Sequence, residues 1–132
     1  MRFYNLDDHK KIEYLLKSCE NIIPYFSMKE YQNRATFCIE ACWSWLKNKE
    51  KDGEYLYDLL DDEGEGLVSI QYSAKSNKDK NIWSCIIDAL AYTSRKAYES
   101  EGDRYFPEPI ALVEDSIIEH FNASLNRLTN EE

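Results

Sequence analysis

Residues 81–102 read NIWSCIIDALAYTSRKAYESEG and show a wide helical pattern. Apolar and small side chains recur three and four positions apart and cover most of the circumference: Ile82, Trp83, Ile86, Ile87, Leu90, Ala91, Ser94 and Ala97. Asp88, Arg95 and Glu99 form the polar edge that remains. Gly102 is suited to end the helix, because glycine readily adopts a positive φ. The pattern predicts a central helix over 81–102 that is buried on most sides.

Two amphipathic helices are predicted before this segment. The first starts from Asp7 as a plausible N-cap and stops at Pro24. The second opens with the sequence SMKE at 27–30, which has the form of a capping box, and runs to about Lys49. Apolar residues three and four positions apart give each helix one face for the core.

Shorter elements are predicted around the central helix. EYLYDLL at 54–60 is expected to form a short helix. LVSIQY at 67–72 is expected to form a helical turn or an extended packed segment, because a lone strand would leave its backbone groups unpaired. Residues 73–81 are expected to form an exposed loop.

The C-terminal part is predicted to contain one connector and one helix. RYFPEP at 104–109 is expected to be non-helical, since each proline disfavours helix in the residue before it. A last helix is expected from about Ile110 or Val113 to Leu128. The elements together predict an all-α fold, a compact bundle of about five helices, with residues 1–132 as a single domain.

The charge balance narrows the class of partner. The chain of 132 residues carries a formal net charge of −9. Nucleic acid and anionic membrane surfaces both repel such a protein, so neither is an expected partner, whereas a basic protein is favoured. The apolar runs are far shorter than the roughly 20 residues of a membrane span, and the N-terminal residues become charged before a signal-peptide region could form. We therefore expect a cytoplasmic protein.

The residues that usually carry chemistry form no convincing site. Cys19, Cys38, Cys42 and Cys85 all fall on predicted apolar helix faces, and none belongs to a CxxC pair. Cys38 and Cys42 are four positions apart and could meet on a helix, but a core role is favoured over a metal site. A cysteine nucleophile would need a histidine base, and the chain contains only His9 and His120. We expect no catalytic residue, no metal and no cofactor.

The segment 52–65 has the most uneven charge in the chain. It contains seven carboxylates and no cation, with two tyrosines among them. Such a surface could attract lysines and arginines of a partner, and tyrosine is enriched at interface hot spots. A solvated loop with half-packed tyrosines is an equally weighted interpretation, and calcium binding is disfavoured because the spacing of an EF-hand loop is missing. The candidate partner-binding residues are Glu54, Tyr55, Tyr57, Asp58, Asp61, Asp62, Glu63 and Glu65.

Several blocks taken together resemble a known family. They are ACWSWL at 41–46, EYLYDLL at 54–60 with the acidic loop after it, WSCIIDALAY at 83–92, KAYESEG at 96–102 and PEPIALVED at 107–115. In this order they resemble the sixth named family of immunity proteins from bacterial polymorphic toxin systems, over about residues 10 to 120. The resemblance implies an all-helical cytosolic protein that protects its producer by binding a toxin domain. Trp83, Asp88, Tyr98 and residues 107–110 match the family's motifs.

The resemblance and the acidic charge lead to one main hypothesis. The protein is expected to be a non-enzymatic inhibitor that binds a cognate toxin domain, which is basic and could be a nuclease. The alternative is a helical adaptor or regulatory module that binds a cellular protein, with no toxin involved. Among the family-motif residues, Asp88 is predicted to lie on the polar edge of the central helix with Arg95 as a surface pair.

Overall fold

The computed structural model describes residues 7–61, 66–102 and 106–130. Within these ranges the chain forms helices and no strand, which confirms the all-α prediction. The described ranges contain seven α-helices rather than about five: residues 67–72, expected as a helical turn or an extended segment, lie in the helix α4, and α6 is a further short helix. The elements are α1 (Asp8–Ile22), a 3₁₀ turn (Ile23–Tyr25), α2 (Lys29–Asn48), α3 (Gly53–Asp61), α4 (Leu67–Ser73), α5 (Asn77–Ser100), α6 (Glu108–Ala111) and α7 (Ile117–Asn130).

Helix α5 is the centre of the described structure, as predicted. Each of the other six α-helices in the described ranges contacts it. Its apolar side chains are buried from Ile82 and Trp83 through Leu90 to Ala97, apart from the half-buried Ile87. The helix ends at Ser100, and Gly102 has a φ of +77°, the conformation for which glycine is favoured.

The start of α5 differs from the prediction. The helix begins at Asn77, so residues 77–80, expected to be loop, form its first turn. The Ser76 hydroxyl accepts a hydrogen bond from the Asp79 backbone N–H at 3.1 Å and acts as the N-cap. A serine cap can begin a helix within a polar stretch that has no apolar periodicity, which explains the error.

Capping of the first two helices was predicted correctly in one case and wrongly in the other. Asp7 accepts a hydrogen bond from the Lys10 N–H at 2.8 Å and caps α1. The capping box at 27–30 is not formed, because Met28 is the N-cap residue of α2 and makes no side-chain bond there. Ser27 instead donates its hydroxyl and its backbone N–H to the buried carboxylate of Asp79 in α5. The hydrogen bonds from Ser27 to Asp79 therefore replace the capping box that was predicted at 27–30.

The C-terminal part also departs from the prediction. Pro107 is the N-cap residue of α6 and Pro109 lies in its first turn, so Glu108 and Pro109 are helical rather than part of a non-helical connector. Proline is tolerated there because the first N–H groups of a helix have no intrahelical partner. Helix α7 starts at Ile117 rather than near 110 or 113. Residues 103–105 lie outside the described residues.

The contact between α5 and α7 corrects the prediction for Asp88. This side chain is only 9% exposed, and its Oδ2 lies 2.6 Å from Nδ1 of His120 in α7. Arg95 pairs with Glu99 of its own helix at 2.8 Å. Asp88 is therefore an interhelical group and not half of a surface pair, because α7 packs over the edge of α5 that carries it.

The cysteines lie in the core, as predicted. Cys19, Cys38, Cys42 and Cys85 are all buried and free.

Across the described ranges, the structure contains no helix with the length and apolar character needed to cross a membrane.

Candidate functional site

Helix α3 carries most of the described part of the acidic segment, and its start is fixed firmly on α5. The Asp52 carboxylate accepts the Tyr55 N–H at 2.8 Å, as an N-terminal capping residue does. The buried Gly53 donates its N–H to Glu101 at 2.9 Å, and its carbonyl oxygen accepts the Ser94 hydroxyl at 2.9 Å. These bonds hold the first turn of α3 against the C-terminal half of α5.

Gly53 allows this close approach. A Cβ atom added there would lie 2.7 Å from the aromatic ring of Tyr98. Real Cβ atoms do not come so near to another atom without displacing it, so glycine lets the backbone of α3 pack directly on the ring. The orientation of α3 on α5 therefore depends on this one position.

The two faces of α3 differ sharply in chemistry. Leu56 and Leu60 are buried on the inner face. Glu54, Asp58 and Asp61 are exposed, and their spacing of four and three positions puts them on one outer face. The structure thus brings together three of the predicted carboxylates. Asp62, Glu63 and Glu65, the other three predicted carboxylates, lie outside the described residues.

The two predicted tyrosines flank this outer face and are half-buried against the core. The Tyr57 hydroxyl donates to Asp61 at 2.9 Å, and the Lys51 ammonium lies 4.8 Å from the centre of the Tyr55 ring. Both tyrosines combine packing on the core with a partly accessible ring. Surface area of this kind can take part in a contact without much loss of side-chain entropy.

The negative charge around α3 affects neighbouring groups. The pKa of Tyr98 is raised to about 12, first by burial and then by the nearby carboxylates, which oppose a second negative charge: Glu54, Asp58, Asp52 and Glu101. The pKa of Tyr57 is raised by burial and then by its bond to Asp61. The surface of α3 is therefore a region of negative potential that attracts cations.

Helix α4 continues the chain beyond this acidic face and was missed as a candidate. Its Leu67 is fully buried, and the Gln71 side-chain amide donates to the Lys80 carbonyl at 3.0 Å. On the opposite side, Val68 is 50% exposed and Tyr72 is 90% exposed. The i, i+4 spacing of Val68 and Tyr72 on a helix was the signal that could have identified this pair, but LVSIQY also fits an extended segment.

The groups that could support catalysis are engaged elsewhere. Burial raises the pKa of Cys38 to about 11 and that of Cys85 to about 12, which leaves both thiols protonated and unreactive. His9 lies 2.7 Å from Glu13, and His120 is paired with Asp88. In the part of the chain that the structure describes, no three His, Cys, Asp or Glu side chains are grouped so that they could hold a metal ion.

Two open clefts beside Trp45 offer no defined chemistry. Their volumes are about 320 and 480 Å³, and both include Trp45, Lys49 and Ser100 in their walls. The Lys49 ammonium sits 3.8 Å from the centre of the Trp45 ring. Lysines and carboxylates are mixed around both clefts, so neither selects one sign of ligand charge.

Comparison with known proteins identifies the family. Searches of curated proteins and of solved structures each found no match. A family model described as "Immunity protein Imm6" matches residues 10–128, which include all the helices described above except the first two residues of α1 and the last two of α7. The chain belongs to the Imm6 family of immunity proteins.

Proposed function

We propose that this protein neutralises a cognate bacterial toxin domain by binding directly to it, without any chemistry of its own. Membership in an immunity-protein family implies that the partner is a toxin. Blocking by contact requires only a stable complementary surface, which a rigid helical domain provides. In this proposal the toxin belongs to a polymorphic toxin system, and the whole chain acts as one domain in the cytoplasm of the producer, with no cofactor.

The outer face of α3 is the proposed contact. The observation that carries this assignment is the alignment of Glu54, Asp58 and Asp61 on one exposed helix face. The half-buried Tyr55 and Tyr57 flank these acids and add contact area. The proposal extends along the chain to Asp62, Glu63 and Glu65, which complete the acidic segment.

The partner of such a face is a basic surface. The formal net charge of −9 adds long-range attraction to the local complementarity and accelerates encounter with a cationic protein. Proteins that act on nucleic acid carry clustered lysine and arginine, because the phosphate backbone demands them. A nuclease toxin therefore fits the acidic face well, and covering its nucleic-acid channel would block its activity.

The test is a titration against the C-terminal domain of the toxin encoded beside this gene, at two salt concentrations. We expect tight binding that weakens as salt rises, together with loss of toxin activity in the complex. Tight binding that salt does not change would retain the function but move the contact away from the acids. If the toxin domain does not bind, the adaptor alternative replaces this proposal.

A further inference from the structure

Helices α3 and α4 together form a strap along α5. The start of α3 is bonded to the side chains of Ser94 and Glu101 near the C-terminal end of α5. The end of α4 is bonded to Lys80 near the N-terminal end of α5. The two helices also contact each other, so the strap runs along α5 over about 20 residues, or about 30 Å of helix.

Both helices of the strap bury one side and expose the other. The buried side is formed by Leu56 and Leu60 in α3 and by Leu67 in α4. These side chains belong to one core, α3 and α4 contact each other, and each helix turns its opposite side outward. This outward side is acidic along α3 and apolar along α4, where Val68 and Tyr72 stand one turn apart.

Two further exposed apolar side chains lie in the segment 25–28, which is bonded to the first turn of α5. Tyr25 and Met28 are both exposed and flank Ser27, which is bonded to Asp79. Asp79 is the neighbour of Lys80, the residue that holds the end of α4. The segment 25–28 therefore approaches the same end of α5 as Tyr72 does.

The exposure of Tyr72 has no explanation in the folding of the chain alone. A tyrosine ring that is 90% exposed loses almost no contact with water on folding and contributes little to stability. The same ring is among the side chains that contribute most when an interface buries them, because it offers a large apolar area and a hydroxyl at low entropic cost. An apolar centre beside a charged edge is also the usual layout of a protein interface.

We infer that α4 supplies the apolar anchor of the toxin contact, with Tyr72 at its centre and Val68 beside it. This inference rests on the proposed function and adds the kind of toxin surface that fits. The partner is a toxin face with an apolar pocket for Tyr72 and a group of lysines or arginines opposite the acids of α3. Charge complementarity steers the approach, and burial of Tyr72 determines how long the complex lasts.

The experiment measures association and dissociation rates of the toxin domain with the full-length Tyr72→Ala variant. We expect the dissociation constant to rise about 30-fold or more, mainly through faster dissociation, with an unchanged dependence on salt. Val68→Ala should raise it by a few-fold, and Tyr72→Phe should retain most of the affinity, because the ring area is kept. The matched control is Leu112→Ala, because Leu112 is 75% exposed in the connector after α6 and should leave both rates unchanged.

The Tyr72→Ala variant should fold normally, because the exposed ring can be removed without opening the core. Its circular dichroism spectrum and melting temperature should match those of the wild type. If the wild-type protein binds the toxin and Tyr72→Ala binds equally well, the anchor is wrong and the proposed function stands. If the wild-type protein does not bind, both are wrong. Sedimentation of the free protein tests whether a second copy of this chain, rather than the toxin, covers α4. If the free protein is a dimer, and Tyr72→Ala dissociates the dimer but leaves toxin binding unchanged, the inference is overturned.

Discussion

The Asp88 carboxylate of α5 and the His120 imidazole of α7 lie 2.6 Å apart, with the carboxylate buried and the imidazole 59% exposed. Two further bonds continue this line along the two helices, from Ser124 to Ser84 at 3.3 Å and from Arg127 to Asn81 at 3.0 Å. The residue numbers rise along α7 as they fall along α5, so the helices run antiparallel. Burial raises the pKa of Asp88 to about 6, although the bond to His120 acts to lower it.

This pair predicts a pH dependence of stability. Because the pKa of Asp88 is raised in the folded protein, its protonated form favours folding below about pH 4, and that contribution is lost as pH rises through about 6. Asp88→Asn imitates the protonated group and should remove the loss. We expect the free energy of unfolding of the wild type to fall by about 2–3 kcal/mol relative to Asp88→Asn between pH 4 and 7.

Urea denaturation of both proteins at four pH values measures this difference. Asp58→Asn is the control for the loss of one negative charge at an exposed site. A difference between the wild type and Asp88→Asn that stays constant from pH 4 to 7 would show that Asp88 does not titrate as described.

Asp115 should make the stability of the fold depend on pH in the opposite direction. It accepts hydrogen bonds from the Lys11 ammonium at 2.8 Å and from the Tyr92 hydroxyl at 2.9 Å, and the bond from Lys11 lowers its pKa. A lowered pKa stabilises the fold above about pH 4 and ceases to do so as pH falls below it. Asp115→Ala should cost about 1 kcal/mol at pH 7, since partial exposure screens the pair, and much less at pH 2–3. An equal cost at both pH values, measured by urea denaturation, would contradict this.

The features that the sequence could predict are those encoded by neighbours along the chain. The central helix, its termination just before Gly102 and the Asp7 cap follow from periodicity and from backbone preferences of single residues. The errors at Ser27 and Asp88 involve partners that are distant in sequence. Ser27 has the position of a capping residue, but its acceptor is Asp79, 52 positions away. Likewise, no local pattern indicates that α7 covers Asp88.

The candidate site also combines features that the sequence predicts with features that only tertiary packing determines. The concentration of acids at 52–65 is visible in the sequence, but the common face of Glu54, Asp58 and Asp61 depends on the bounds of α3. The spacing of Val68 and Tyr72 is visible in the sequence, but the exposure of Tyr72 depends on which side of α4 packs on α5. Spacing gives the candidate positions, and tertiary packing decides which of them reach the surface.

The close packing around Gly53 predicts that one added methyl group will lower stability. Gly53→Ala would place its Cβ 2.7 Å from the Tyr98 ring, so α3 must move or the ring must shift. Overpacking of this kind should lower the free energy of unfolding by about 1–3 kcal/mol, measured by urea denaturation. It should also weaken toxin binding, because the displaced helix carries the acidic face.

Gly102→Ala is the contrasting control for this substitution. At Gly102 the described residues beyond its chain neighbours place no atom within 4 Å of the added Cβ, and the φ of +77° is what opposes alanine. We expect a cost of about 1–2 kcal/mol from the left-handed backbone and no change in toxin affinity. Equal losses of affinity in both variants would mean that general destabilisation, and not the position of α3, controls binding.

The acidic face of α3 should act chiefly on the rate of association. Glu54 and Asp58 are exposed on that face, so Glu54→Gln combined with Asp58→Asn removes two charges without disturbing the core. We expect association with the toxin domain to slow about tenfold at low salt, with little change in dissociation. In about 1 M salt the two proteins should associate at similar rates, because the Debye length falls to about 3 Å. Stopped-flow kinetics at several salt concentrations measure both rates.

Glu108→Gln combined with Glu114→Gln is the matched control for that variant. It also removes two exposed negative charges, but from α6 and the connector after it. If the toxin faces α3, this control should slow association much less, because steering depends on the charges nearest the contact. Equal slowing in both double variants would mean that only the net charge of the protein matters. No slowing in either would exclude the acidic face of α3 from the encounter and move the contact to another part of the surface.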